Sequence, residues 1–149
     1  MGTRCLTFVY EESKTGDKPE AIINLYRQFD GYPTGHGAEL AEFLNTGTMT
    51  NGLRMGQTGR FFNGMGCLAA QLVAYFKQEA GNFYLYPVTA EDCGQDFEYH
   101  IYNIDGKLKI KVMNCGSNFF GMTNDETYEP LFEGSLEEFT EFCTEKEKA

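Results

Sequence analysis

With 149 residues, 42% of them hydrophobic and 23% charged, the chain has the length and composition of one globular domain, which excludes a multidomain machine and global disorder. Twelve Lys and Arg against 22 Asp and Glu give a net charge of −10, and that balance disfavours non-specific attraction to nucleic acid or to an anionic membrane. The excess is uneven. From Asn124 onward nine acids meet two lysines, whereas the residues before it hold thirteen acids and ten bases, so the body can still carry a local basic site.

In chain order, Cys5 to Tyr10 and Ala21 to Phe29 are β-rich runs joined by a polar stretch, which predicts two strands and a loose hairpin loop. Asp30-Gly31-Tyr32-Pro33-Thr34-Gly35-His36-Gly37 forbids regular structure and feeds a short helix, in which Leu40, Phe43 and Leu44 share one face. Thr46 to Phe62 reads mostly as loop. Asn63-Gly64-Met65-Gly66 then opens a buried helix over Cys67 to Gln78, followed by a strand within Asn82 to Pro87. Phe97 to Ile104 and Lys107 to Met113 flank Asp105-Gly106, a strong hairpin signal that places Tyr99, Ile101, Ile110 and Val112 on the core face and His100, Tyr102, Lys109 and Lys111 on the other. Tyr128 to Glu133 predicts a last strand. Ser135-x-x-Glu138 is a capping box that opens a final acidic helix with Leu136, Phe139, Phe142 and Cys143 as its buried stripe. The expected fold is α+β, an antiparallel sheet of five or six strands with three helices on one face, in the order ββ-αα-βββ(β)-α.

No run approaches 18 apolar residues, and Met1 to Tyr10 lacks the apolar core of a signal peptide, so a cytoplasmic protein is expected. Cys5, Cys67, Cys93, Cys115 and Cys143 are odd in number with no Cys-x-x-Cys pair, which predicts reduced thiols and no zinc site. The acids Glu91, Asp92, Asp96 and Glu98 fit no calcium-loop pattern and are expected to be solvated, so neither metal nor cofactor is assigned.

The densest polar constellation is the Arg27 to Gly37 segment. Arg27 is a candidate clamp for a phosphate or carboxylate, with Asp30 beside it, Tyr32 placed to stack on a flat ring and His36 able to donate to an anionic oxygen. Gly35 and Gly37 lead into a helix start, where unpaired N–H groups and the helix dipole favour an anion. The competing reading is structural, with Arg27 pairing Asp30 to pin the turn. Asn63, Gly64 and Gly66, preceded by Arg60, form a second such entry, and two entries brought together would suit a ligand with more than one phosphate. Cys67 with His36 and Asp30 would complete a Cys–His–Asp set if the fold joined them, although a buried structural thiol is the simpler role.

The segment Tyr26-Arg27-x-x-Asp30-Gly31-Tyr32-Pro33-x-Gly35-x-Gly37-x-x-Leu40 resembles a family of small, uncharacterised bacterial and phage proteins. Asp96-x-Glu98-Tyr99-x-Ile101-Tyr102 and Phe132-Glu133-Gly134-Ser135-x-Glu137-Glu138-Phe139 are similar to it as well, with Gln28-Phe29 standing where His-Trp is expected. The resemblance implies a single-domain layout and no particular activity. A phage origin would suit a binder that sequesters a nucleotide signal in the host cytoplasm. The sequence therefore favours a non-enzymatic binding protein for a small anionic, nucleotide-like ligand. A module docking its acidic C-terminal helix on a basic partner and a hydrolase or transferase using Cys67 and His36 are the alternatives, and a homo-oligomer is left open.

Overall fold

A computed structural model describes residues 2–56, 58–116 and 129–148, with side chains up to residue 144. In chain order the elements are β1 (Cys5–Tyr10), β2 (Ala21–Arg27), α1 (Ala38–Asn45), β3 (Gly47–Thr50), β4 (Arg60–Asn63), α2 (Gly64–Phe76), β5 (Phe83–Tyr86), β6 (Phe97–Ile104), β7 (Lys107–Asn114), β8 (Glu129–Ser135) and α3 (Leu136–Lys148). One turn of π-helix, Pro33–Gly37, runs directly into α1. The expected α+β class holds, and Tyr128, expected to open the last strand, lies outside the described residues.

Six strands form the main sheet in the order β5-β2-β1-β6-β7-β8. The sheet is mixed, which corrects the all-antiparallel expectation: β1 and β6 run parallel at its centre, Cys5 beside Phe97 and Val9 beside Ile101. The chain leaves the sheet after β2, builds its first two helices, returns to the outside of β2 as β5, then crosses back to the free side of β1. Thr46 to Phe62 is also more regular than its Gly-rich composition suggests, because β3 and β4 pair in parallel as a separate two-stranded sheet.

Alternation decides which residues meet the helices. Cys5, Val9, Leu25, Tyr99, Ile101, Ile110 and Val112 form one buried cluster with Leu40, Phe43, Leu68, Leu72 and Phe139 from the helices. Leu6, Phe8 and Tyr26 make a smaller cluster on the opposite face, so β1 is buried on both sides and shows no polar alternation. The β6–β7 hairpin has the expected register, Tyr99 beside Val112 and Ile101 beside Ile110. Its turn holds Asp105 at φ 54° and Gly106 at φ 85°, the left-handed pair that a two-residue hairpin requires.

Candidate functional site

Arg27 is the last residue of β2, on the side that faces the helices, and it is only 6% exposed. Its Nε donates to the Phe29 carbonyl (2.5 Å), its Nη1 donates to His36 Nδ1 (3.2 Å) and to the Glu39 carboxylate in the first turn of α1, and its guanidinium lies 5.0 Å from the Phe83 ring centroid. The guanidinium therefore holds a bend closed, and among the described residues it lines none of the grooves. The acid that seals it is Glu39, in the first turn of α1, and not the neighbouring Asp30.

The other residues of that segment are engaged in the same way. His36 is fully buried, with its ring 4.9 Å from those of Phe76 and Tyr99. Burial, with the Arg27 charge adding to it, lowers its pKa to about 3, so the imidazole is neutral. Arg27 has only hydrogens to offer, so Nδ1 is the acceptor and Nε2–H donates to Thr7 Oγ1 (2.7 Å). Asp30 adopts a left-handed conformation, φ 63°, its carbonyl accepting from His36 N (2.8 Å) and its carboxylate from the Tyr32 hydroxyl (3.2 Å). Tyr32 is exposed, and the Asp30 carboxylate on its hydroxyl pushes its pKa up. Gly35 and Gly37 are packing glycines: a Cβ at Gly35 would stand 2.6 Å from the Asp30 carbonyl, and one at Gly37 would stand 2.8 Å from Cys143 Sγ.

The two Gly-rich entries do not converge. His36 packs on Phe76, the last residue of α2, whereas the second entry opens α2 at Gly64, about 18 Å away at 1.5 Å per residue. Cys67, nine residues before Phe76 on the same helix and so about 14 Å from it, is likewise kept from His36 and Asp30, and the Cys–His–Asp set is not assembled.

The second entry has a different character. Asn63, the N-cap residue of α2, makes no side-chain cap, because its Oδ1 accepts from Gly52 N (2.7 Å) and thereby anchors the loop between β3 and β4. No acid stands in the first turn of α2. Gly64 takes the left-handed φ of 84° that starts the helix sharply, and Gly66 is exposed with open space where a Cβ would be. Beside this helix start lies a groove of about 560 Å³, lined by Leu53, Arg54, Gly59, Arg60, Phe61, Cys67 and Gln71. Arg60 donates to Thr46 Oγ1 (3.0 Å) and lies 5.1 Å and 5.6 Å from the Phe43 and Tyr75 ring centroids, so its guanidinium is held on residues that stand next to the groove and not in its lining. Gln71 Nε2 donates to the Phe61 carbonyl (2.7 Å) and to Cys67 Sγ (3.2 Å).

Arg54 and Gln71 escaped the sequence reading. Arg54 sits in a stretch whose composition signals only loop, and the Asn63 anchor that brings it to the helix start spans eleven residues. Missed too was a polar line on the helix-free face of the sheet: the Tyr10 hydroxyl meets His100 Nδ1 (2.6 Å), His100 Nε2 meets Glu98 (2.9 Å) and Gln95 Nε2 donates to Glu98 (2.9 Å). Glu98 and His100 at i and i+2 share a strand face, which is a readable signal. Glu98 is thus buried and paired, not solvated as expected, and among the described residues no His, Cys, Asp or Glu cluster could hold a metal.

Set against family models, curated proteins and solved structures, the chain matches none, so the site rests on its own geometry.

Proposed function

We propose that the protein binds a small phosphorylated, nucleotide-like ligand, without transforming it, in the groove beside the first turn of α2. One observation carries the reading: in a chain of net charge −10, this groove has Arg54 and Arg60 but no carboxylate in its lining, beside the N-terminal half of α2, whose start has no side-chain cap. Unpaired first-turn N–H groups and the positive end of the helix dipole favour an oxyanion, and guanidinium groups bind phosphate through paired donors. The volume falls in the range of about 300–1,000 Å³ usual for small-molecule sites, and Phe61 supplies an apolar wall for a ring. Of the residues marked in the sequence, Asn63, Gly64 and Gly66 adjoin the groove along the chain without lining it, and they serve as the helix start that faces the anion. Arg27, Asp30, Tyr32, Gly35, His36 and Gly37 support the fold instead. In a phage protein acting in the host cytoplasm, such a groove would sequester a nucleotide signal.

Melting the protein against inorganic phosphate and mono-, di- and cyclic nucleotides tests the proposal. A ligand at 100 times its Kd should add about 2.7 kcal/mol of stability. Arg54→Ala should abolish the shift, and no shift with any member rejects the reading.

A further inference from the structure

The outer edge of the main sheet at β5 is closed except at one residue. Gln28 N donates to the Asn82 carbonyl (2.8 Å), which makes Gln28 and Asn82 a hydrogen-bonded pair. Antiparallel pairs alternate, so Phe83 opposite Arg27 and Leu85 opposite Leu25 turn their N–H and C=O groups away from β2. Phe83 is already satisfied: its N–H donates to the Gly81 carbonyl (2.7 Å) and its carbonyl accepts from Lys77 Nζ (2.8 Å). Pro87 has no N–H, and its carbonyl accepts from Asn24 Nδ2 (3.2 Å) and Ala90 N (3.0 Å). Among the described residues, Leu85 alone on this edge has an outward N–H and C=O without a partner.

We propose that β5 pairs with β5 of a second copy of this chain about a two-fold axis at Leu85. Two antiparallel copies centred there exchange both backbone hydrogen bonds of Leu85 with its own symmetry mate, and oppose Phe83 to Pro87. The N–H missing from Pro87 leaves nothing unsatisfied, because Lys77 already serves the Phe83 carbonyl. A longer foreign strand would need a row of free groups, which Lys77 and Pro87 deny it.

Side chains and charge favour the same occupant. Phe29 (51% exposed), Tyr84 (48%), Leu85 (59%), Tyr86 (36%) and Val88 (40%) stand on or beside the edge, with Phe29 tied to it through Asn82. At about 200 Å² for a large side chain they expose roughly 450 Å² per chain, so pairing would cover about 900 Å² through them alone, close to the ~1,200 Å² of the smallest stable interfaces before backbone and rim are counted. Ala80 to Ala90 holds no charged residue, so two chains of net −10 meet through a segment without acids, the cation beside it being Lys77 on the Gly81 and Phe83 carbonyls. Like charge elsewhere makes added salt favour the pair.

Sedimentation velocity on the full chain over two decades of concentration tests this. The expected result is growth from 16.8 kDa to twice that mass, with the Leu85 amide exchanging its hydrogen at least tenfold more slowly at the high end. Leu85→Lys, and Val88→Glu outside the strand as a second variant, should stay monomeric with unchanged circular dichroism, while Lys111→Gln on the far side of the sheet should still dimerise. A monomer at every concentration overturns the proposal, as does a dimer that survives both edge variants or leaves the Leu85 amide unprotected. None of these outcomes bears on the Arg54–Arg60 groove.

Discussion

Arg27 Nη1 donates to Nδ1 of His36 across 3.2 Å, and that bond selects the tautomer whose Nε2–H reaches Thr7 at the centre of the sheet. The pair ties the end of β2, the π-turn and β1 into one unit. Truncating Arg27 leaves a fully buried imidazole nitrogen without a donor, which costs about 1–3 kcal/mol, and removes the contact with Phe83. Glu39 is 48% exposed, so its ion pair adds little once solvent screening is allowed for. Arg27→Met should therefore lower stability by about 2–3 kcal/mol in urea unfolding, yet leave the nucleotide-induced melting shift in place.

The His36 pKa falls from 6.5 to about 3 on folding, so between those values the unfolded chain holds a proton that the folded chain refuses. Stability from this group is complete above pH 6.5 and declines as pH falls, by up to ~1.4 kcal/mol per pH unit. Unfolding free energies at pH 7.5, 6.5 and 5.5, above the range where most carboxylates titrate, should drop mainly at the last step. His36→Gln should flatten that drop.

Two glycines predict opposite outcomes. Gly37→Ala drives a methyl to 2.8 Å from Cys143 Sγ in the core and should destabilise by about 1–3 kcal/mol. Gly66→Ala meets open space in the first turn of α2 and should stabilise by about 0.5–1 kcal/mol. Paired thermal melts of the two variants decide both.

Thiol chemistry reports on the groove independently. Cys5, Cys115 and Cys143 are buried and burial pushes their thiols up, that of Cys143 to about 12, so all three should react only on unfolding. Cys67 and Cys93 are half-buried and should react in the native state, with Cys93 slowed because burial, with Asp92 and Glu98 adding to it, raises its pKa. A bound nucleotide should protect Cys67 and leave Cys93 unchanged, as mass spectrometry of alkylated peptides would show.

What the sequence revealed follows the range of the forces involved. The Asp105-Gly106 hairpin, the α1 stripe of Leu40, Phe43 and Leu44 and the Ser135–Glu138 capping box are set by neighbours a few residues apart, and all three formed. The parallel β1–β6 pair joins segments about ninety residues apart, and nothing local in either strand encodes it. The Arg27 segment announced its chemistry correctly as an arginine, a histidine and glycines around a bend. It concealed their use, because Glu39, Thr7 and Cys143 complete the packing from other elements. At the second entry the glycines were visible, while Arg54 depended on the Asn63–Gly52 bond to reach the site.

Amide chemical shifts of the 15N-labelled protein, followed while the best-stabilising nucleotide is added, test the central claim most directly. The groove account predicts saturable shifts at Gly64, Met65, Gly66 and Arg60 that disappear in Arg54→Ala. Shifts centred on Gly35, His36 and Gly37, or none anywhere, would contradict it.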